Sequence, residues 1–220
     1  MRHTFLAVLL AATTLAAGPS IEPSRGDSTH SSITVNRSGG KLDARGITLK
    51  DAIAMAYSFP ATRIAGPAWI GEARWDMDIE APARDEFYAQ FRRALADRFH
   101  LATHRETRAV PADVLKTIPN VAPKLTPSAG REAIIHQENN SLKATAATMA
   151  ELAAQLEDAL HEPVLDETGL TQRFDLELSW RGEGREALGA ALRDQAGLGL
   201  IHDARPLELL VVDTVERPAR

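Results

Sequence analysis

Trp75-Asp76-Met77-Asp78-Ile79-Glu80 alternates large apolar side chains with carboxylates, and Phe174-Asp175-Leu176-Glu177-Leu178 does the same about a hundred residues later. Successive residues of a strand point to opposite faces, so this period of two predicts strands with one buried and one solvated face. What surrounds each strand also corresponds. Gly46-Ile47-Thr48-Leu49 precedes the first, and Ala146-Ala147-Thr148-Met149 precedes the second. Asp51 stands three residues after Thr48 and Glu151 three after Thr148, the spacing of a helix start in which side chain and backbone cap each other. Leu49, Ala52, Ile53 and Ala56 then recur at helical spacing up to Pro60, which predicts a helix over 48–58.

Outward from these anchors the order is maintained. Ile33 and Val35, the turn Ser38-Gly39-Gly40 and Lys41 to Arg45 predict a hairpin, and a second hairpin is expected around Asn139-Asn140. Phe87, Phe91, Ala94 and Leu95 predict a helix over 85–98, and Leu95-Ala96-Asp97 is answered by Leu192-Arg193-Asp194. Strand-like Leu101 to Thr107 follows, then a weaker run to Ile118. Leu198 and the run Leu207 to Val212 hold the corresponding places in the second half. The reading is an α+β chain of two tandem similar copies, each approximately β-β-α-β-α-β-β. The expected divisions are a leader over 1–17, an extended lead-in over 18–32, a first copy over 33–118, a Pro-rich linker over 119–130 and a second copy over 131–218.

The leader reading rests on Arg2 and His3, the apolar run Phe5 to Ala12, and small residues ending at Ala17 before Gly18-Pro19. It predicts export, to the periplasm or the exterior. The run falls short of the roughly twenty residues that a spanning helix needs. Removing Arg2 with the leader takes the formal charge of -5 to -6, without any acidic block. Nucleic acid is not an expected partner, because such binding needs concentrated positive charge. The chain has no cysteine, which excludes disulfides, thiolate metal sites, thiol nucleophiles and a lipidated cysteine.

Gly66-Pro67-Ala68-Trp69, Trp75 to Ala81, Leu95 to Leu101 with His104 to Arg108, and Pro163 to Asp175 resemble the soil-associated family of uncharacterised secreted bacterial proteins. The resemblance extends from Ser20-Ile21-Glu22-Pro23-Ser24 to Leu207-Glu208-Leu209-Leu210-Val211-Val212-Asp213. It implies an exported domain of unassigned function, found alone or attached to membrane peptidases that look like antibiotic sensors, and it carries over no catalytic residue. Such proteins usually have a more continuous apolar strand where this chain has Ala112 to Pro119, which puts that strand in question. Paired units with a Thr-Leu helix start are also similar to the short amino-terminal modules of secretins and TonB-dependent receptors.

Chemistry is sparse. His100 and His104 have the spacing of two imidazoles on one face, but Glu106 is not placed as in the zinc-protease motif. His136, His161 and His202 stand isolated. Asp166, Glu167, Asp175 and Glu177 are close enough in sequence to supply an acid and a base, yet Asp76 and Asp78 repeat the last pair, which favours an architectural role. Trp75 is in phase with the core, while Trp69 and Trp180 have the chemistry to line a ligand groove. An ion pair positioning the next strand accounts for Arg98. No serine sits in a nucleophile elbow and no glycine loop has phosphate-cradling spacing. No catalytic, cofactor-binding or metal-binding residue is therefore assigned, and no cofactor is expected. The function expected is a non-catalytic extracytoplasmic binding or interaction domain, with an unknown protein or peptide as partner. The alternatives are a carboxylate- or His-dependent hydrolase and a sensor regulating a membrane peptidase.

Overall fold

The computed structural model describes residues 19–25, 31–36, 40–81 and 86–218. The expected leader, the turn residues Ser38 and Gly39, and the expected start of the second helix at Asp85 lie outside these. The chain is α+β, with three four-stranded sheets and four helices among the described residues. The described residues divide into two compact units: those within 19–59, 66–102 and 213–218 form one, and residues 60–65 and 103–212 form the other.

In the first unit, β1 (Ser20–Pro23), β2 (Ser32–Asn36), β3 (Lys41–Thr48) and β5 (Arg74–Glu80) form a sheet of order β1-β5-β3-β2. All of its pairings are antiparallel. The alternation read at Trp75 to Glu80 is real: Trp75, Met77 and Ile79 are buried and the residues between them are not. The lead-in is more than a tether, since Ile21 is buried and pairs with Met77. Arg98 is responsible in part. Its Nε donates to the Ile21 carbonyl at 3.0 Å, so it anchors this preceding strand rather than the next one. Helices α1 (Leu49–Tyr57) and α2 (Phe87–Phe99) supply Leu49, Ile53, Phe91, Leu95 and Phe99 to the core. Full burial of such side chains is worth roughly 1.5–3 kcal/mol each. Thr48 caps α1 by accepting the Asp51 N–H at 3.1 Å.

The second unit contains two sheets. One has the order β7-β11-β9-β8, from β7 (Thr126–Pro127), β8 (Ile134–Glu138), β9 (Ser141–Ala147) and β11 (Phe174–Ser179), again antiparallel throughout. Helix α3 (Met149–Leu160) opens with the full capping box, Thr148 and Glu151 bonding each other's backbone N–H. Helix α4 (Gly184–Ala191) runs on into a π-helical turn at Leu192–Ala196. Leu142, Met149, Leu152, Leu156, Phe174 and Leu192 belong to one buried cluster.

The other sheet of this unit is built on two long strands, β6 (Ala102–Thr117) and β12 (Leu198–Thr214). They are hydrogen-bonded neighbours, with the two- and three-residue strands β4 (Ile64–Ala65) and β10 (Val164–Asp166) at the edges, in the order β10-β6-β12-β4. Both edge strands run parallel to their partners, Val164 opposite Asp113 and Ile64 opposite Leu210. The doubt over Ala112 to Pro119 is corrected here, because the strands expected at Leu101 to Thr107 and on to Ile118 are one unbroken strand, β6, which ends at Thr117. Its residues before Val110 are mostly exposed on both faces and only Ala112 to Leu115 are buried on both, so neither part shows the alternation of a half-buried strand. Pro111 is accommodated because its fixed φ suits extended backbone.

Among the described residues, no helix is long and apolar enough to cross a membrane.

Candidate functional site

Two places gather side chains whose arrangement goes beyond the needs of packing, one in each unit.

In the first unit, β2 lies at the edge of its sheet and all five of its residues are exposed. Ile33 and Val35 lie opposite the buried Ala44 and Leu42, so both project on the core side of the sheet, yet they are 47% and 39% exposed. Beside them a cleft of about 210 Å³ is lined by Val35, Leu42, Met55, Phe87, Tyr88 and Phe91. Tyr88 is also 39% exposed. An edge strand bordering an apolar cleft under two helices offers, among the described residues, a sheet edge and a place for an apolar side chain together.

The corresponding strand of the second unit, β8, is furnished differently. Gln137 lies opposite the buried Leu142, as Val35 lies opposite Leu42. The Gln155 side-chain amide of α3 donates to the Gln137 oxygen at 3.0 Å. Val35 and Met55 thus have polar counterparts that are bonded to one another.

The second place is a polar cluster around Asp113, a fully buried residue of β6. Its N–H donates to the Pro163 carbonyl at 2.8 Å, which seats β10 alongside it. The Arg185 Nε donates to Asp113 Oδ1 at 2.6 Å, and the same oxygen lies 3.0 Å from His202 Nδ1. Arg185 also bonds Glu162 through its terminal nitrogen. Asp113 Oδ2 is buried without a hydrogen-bond partner. One donor atom from each of Asp113, Glu162 and His202 lies within 4.8 Å of the others, the one such group of three among the described residues. These are the residues able to hold a metal ion.

Sequence reasoning missed this cluster, and the isolation assigned to His202 is corrected. Its members come from β6, the α3–β10 connection, α4 and β12, and only the pairing of β6 with β10 and β12 assembles them. The sole signal in the sequence is a charged residue within the apolar run Val110 to Leu115.

The expected candidates are scattered. His100 is the left-handed C-cap of α2 at φ 49°, with Nδ1 3.0 Å from Glu216, whereas His104 lies in β6 near Glu106. The two therefore do not share one helix or strand. Asp175 accepts the Ala146 N–H at 2.8 Å and Asp76 accepts the Gly46 N–H at 2.9 Å, so both hold a bulge in the strand beside them. The Ala146 amide, followed by the Ser128 side chain, holds the Asp175 carboxyl below its usual range. Glu177 pairs with Lys143. Asp166 accepts the N–H and hydroxyl of Thr168 at 2.9 and 2.7 Å, an Asx turn. Glu167 meets Arg205 at 2.6 Å and Lys116 at 3.1 Å, and those cations lower its pKa to about 2. Each carboxylate of the expected acid–base set thus has a structural partner of its own. Trp75 is 3% exposed and packs edge-on against Phe99 at 4.8 Å, Trp180 packs partly buried against the second unit's core, and Arg217 lies over Trp69 at 5.9 Å.

A second buried carboxylate, Glu157 of α3, accepts Arg63 at 2.7 Å, the Val164 N–H at 3.2 Å and the Thr62 hydroxyl. It ties the start of β10 and the turn before β4 to one helix.

No curated protein and no solved structure significantly matches this chain. A family model described as a protein of unknown function, DUF3738, matches residues 50–215, which include both helix pairs, the sheet of long strands and every member of the Asp113 cluster. The chain belongs to the DUF3738 family.

Proposed function

We propose that this protein is an exported, non-catalytic binding domain, built from two similar α+β copies that each end in one long strand, which takes up an extended peptide along β2. The observation that carries the binding role is the five-residue edge strand, exposed throughout, beside the cleft between Val35, Met55 and Tyr88. A peptide adding to that edge gains main-chain hydrogen bonds, and one alternate side chain enters the cleft. The cleft is smaller than a usual drug-sized pocket and suits a single aliphatic or aromatic side chain.

Duplication is supported by the shared strand order of the two antiparallel sheets and by the Thr48 and Thr148 caps. It is supported further by Arg74, which donates to the Gly46 carbonyl at 2.6 Å as Arg173 donates to that of Ala146 at 2.6 Å. A pair of copies with different edges is a natural route to one specialised binding edge. Export rests on the leader residues, and amino-terminal sequencing of the protein recovered from its native host is expected to begin at Gly18.

The binding role is tested by selecting a phage-displayed library of short linear peptides on the folded chain. Peptides with an apolar residue between extended, β-favouring neighbours are expected. Val35→Lys and Met55→Lys should abolish their binding, and Gln137→Lys should not. A library that yields no binder, or binders indifferent to Val35→Lys, overturns the proposal.

A further inference from the structure

The Asp113 cluster has no place in the peptide-binding reading, and its chemistry is unusual for a strand core. Taking a carboxylate out of water is tolerated only when its oxygens are well paired. Asp113 satisfies that condition at Oδ1, through Arg185 and His202, and leaves Oδ2 shielded and unpartnered. A buried polar atom without a partner points to a missing occupant, a water or an ion. Nor does the sheet require a carboxylate at this place. In its other parallel pairing, Ile64 of β4 lies opposite Leu210 of β12, so a buried aliphatic residue fills the position that Asp113 takes opposite Val164.

We propose that Asp113, Glu162 and His202 form a binding site for a divalent transition-metal ion of the zinc type, and that Arg185 is the internal cation that holds the two carboxylates together in the metal-free protein. The donor set, one imidazole nitrogen and two carboxylate oxygens, is of the ligand types that zinc accepts, and three protein donors leave a fourth tetrahedral position for water. Donors on a tetrahedral ion with bonds of about 2.0–2.2 Å stand roughly 3.3–3.6 Å apart, so atoms now within 4.8 Å of one another need only draw inward. Arg185 supplies the charge the ion would bring, through its contacts to both carboxylates. It is placed to leave, because it lies in the first turn of α4 with its side chain 36% exposed. His202, with its side chain 42% exposed, gives the ion a way in from solvent. Three residues drawn from separate strands and connections would then be fastened by one ion.

The test is a Zn²⁺ titration of the full chain by calorimetry, repeated with Co²⁺ and read by visible absorption. Stoichiometric binding is expected, with a rise in melting temperature. His202→Ala should remove it while circular dichroism shows the fold retained, with a somewhat lower metal-free melt because Asp113 Oδ1 loses one of its two partners, and Asp113→Asn should remove it as well. Arg185→Gln should tighten binding, because the ion no longer competes with a guanidinium for the two carboxylates. The proposal is overturned if neither the native chain nor Arg185→Gln takes up stoichiometric metal, or if the uptake survives His202→Ala. It is equally overturned if the uptake depends on the exposed His104 instead.

Discussion

The carboxylate of Asp175 accepts the backbone N–H of Ala146 at 2.8 Å and holds that alanine in the left-handed region at φ 52°. Gly46, held by Asp76, has φ 64°. A residue with a Cβ costs roughly 1–2 kcal/mol in this conformation, and glycine does not bear that cost. Gly46→Ala is therefore expected to destabilise the protein by about 1 kcal/mol in urea denaturation. Ala146→Gly should be neutral or stabilising by a smaller amount, since the buried methyl is lost. The same site offers a sharper check. A Cβ at Gly130 would stand 2.5 Å from the Ala146 Cβ. Gly130→Ala should thus be clearly destabilising alone and much less so in combination with Ala146→Gly, a coupling that a double-mutant cycle measures.

Glu157 is 3% exposed and receives Arg63, Thr62 and the Val164 amide. Replacing it with leucine leaves those donors without an acceptor, and Arg63 Nε is already buried and unpaired. A loss of about 2–3 kcal/mol is expected, below the full range for a broken buried pair because Arg63 is partly solvated. Glu157→Gln should recover part of it. Equal stability of the leucine and native proteins would refute this role.

Glu167 gives a defined acid response. Its folded pKa is lowered from 4.5 to about 2, first by hydrogen bonds from Arg205 and then by Lys116. A depressed carboxyl pKa contributes stability above the unfolded value and loses it as pH falls through the folded one. This contribution is complete above about pH 4.5 and declines between there and pH 2. Because the group is exposed, salt screens it. Arg205→Ala should flatten the pH dependence of stability in that window by lowering stability modestly above it, while stability near pH 2 stays unchanged.

The peptide-binding reading makes a constructive prediction as well. Introducing Gln137→Val together with Gln155→Met removes the amide bond between β8 and α3 and gives that edge the residue types of Val35 and Met55, which border the first unit's cleft. A peptide selected on the native chain should then find a second site, visible as a change in stoichiometry by calorimetry. Unchanged stoichiometry would show that Val35 and Met55 do not define the site.

Much of the scaffold was legible because its signals are local. Thr48 and Thr148 announce their helices within three residues, and Trp75 to Glu80 carries its own face assignment. The sheet of long strands was not. β4 and β10 are too short to show a period, and the outer part of β6 is exposed on both faces, so alternation is lost. The Asp113 cluster was hidden for the same reason, since Asp113, Glu162, Arg185 and His202 are neighbours only through that sheet. The exposed Val35 was visible only as a strand residue, because its cleft depends on Phe87 and Tyr88 from a helix fifty residues away.

The sheet of long strands also governs the order in which the chain can fold. β4 at Ile64 and Ala65 finds its partner only at Leu210 and Val211, with most of the chain between them. Contacts of such sequence separation close slowly, because loop entropy is lost before any contact repays it. A ribosome that has released residue 150 has released the antiparallel edges β2 and β8, but not the strand that completes the sheet. For that interval the nascent chain presents pairing edges with its last layer missing, the condition in which strand-rich proteins aggregate. For the length of that wait the unfinished sheet edges are the chain's points of aggregation, whatever the finished protein binds.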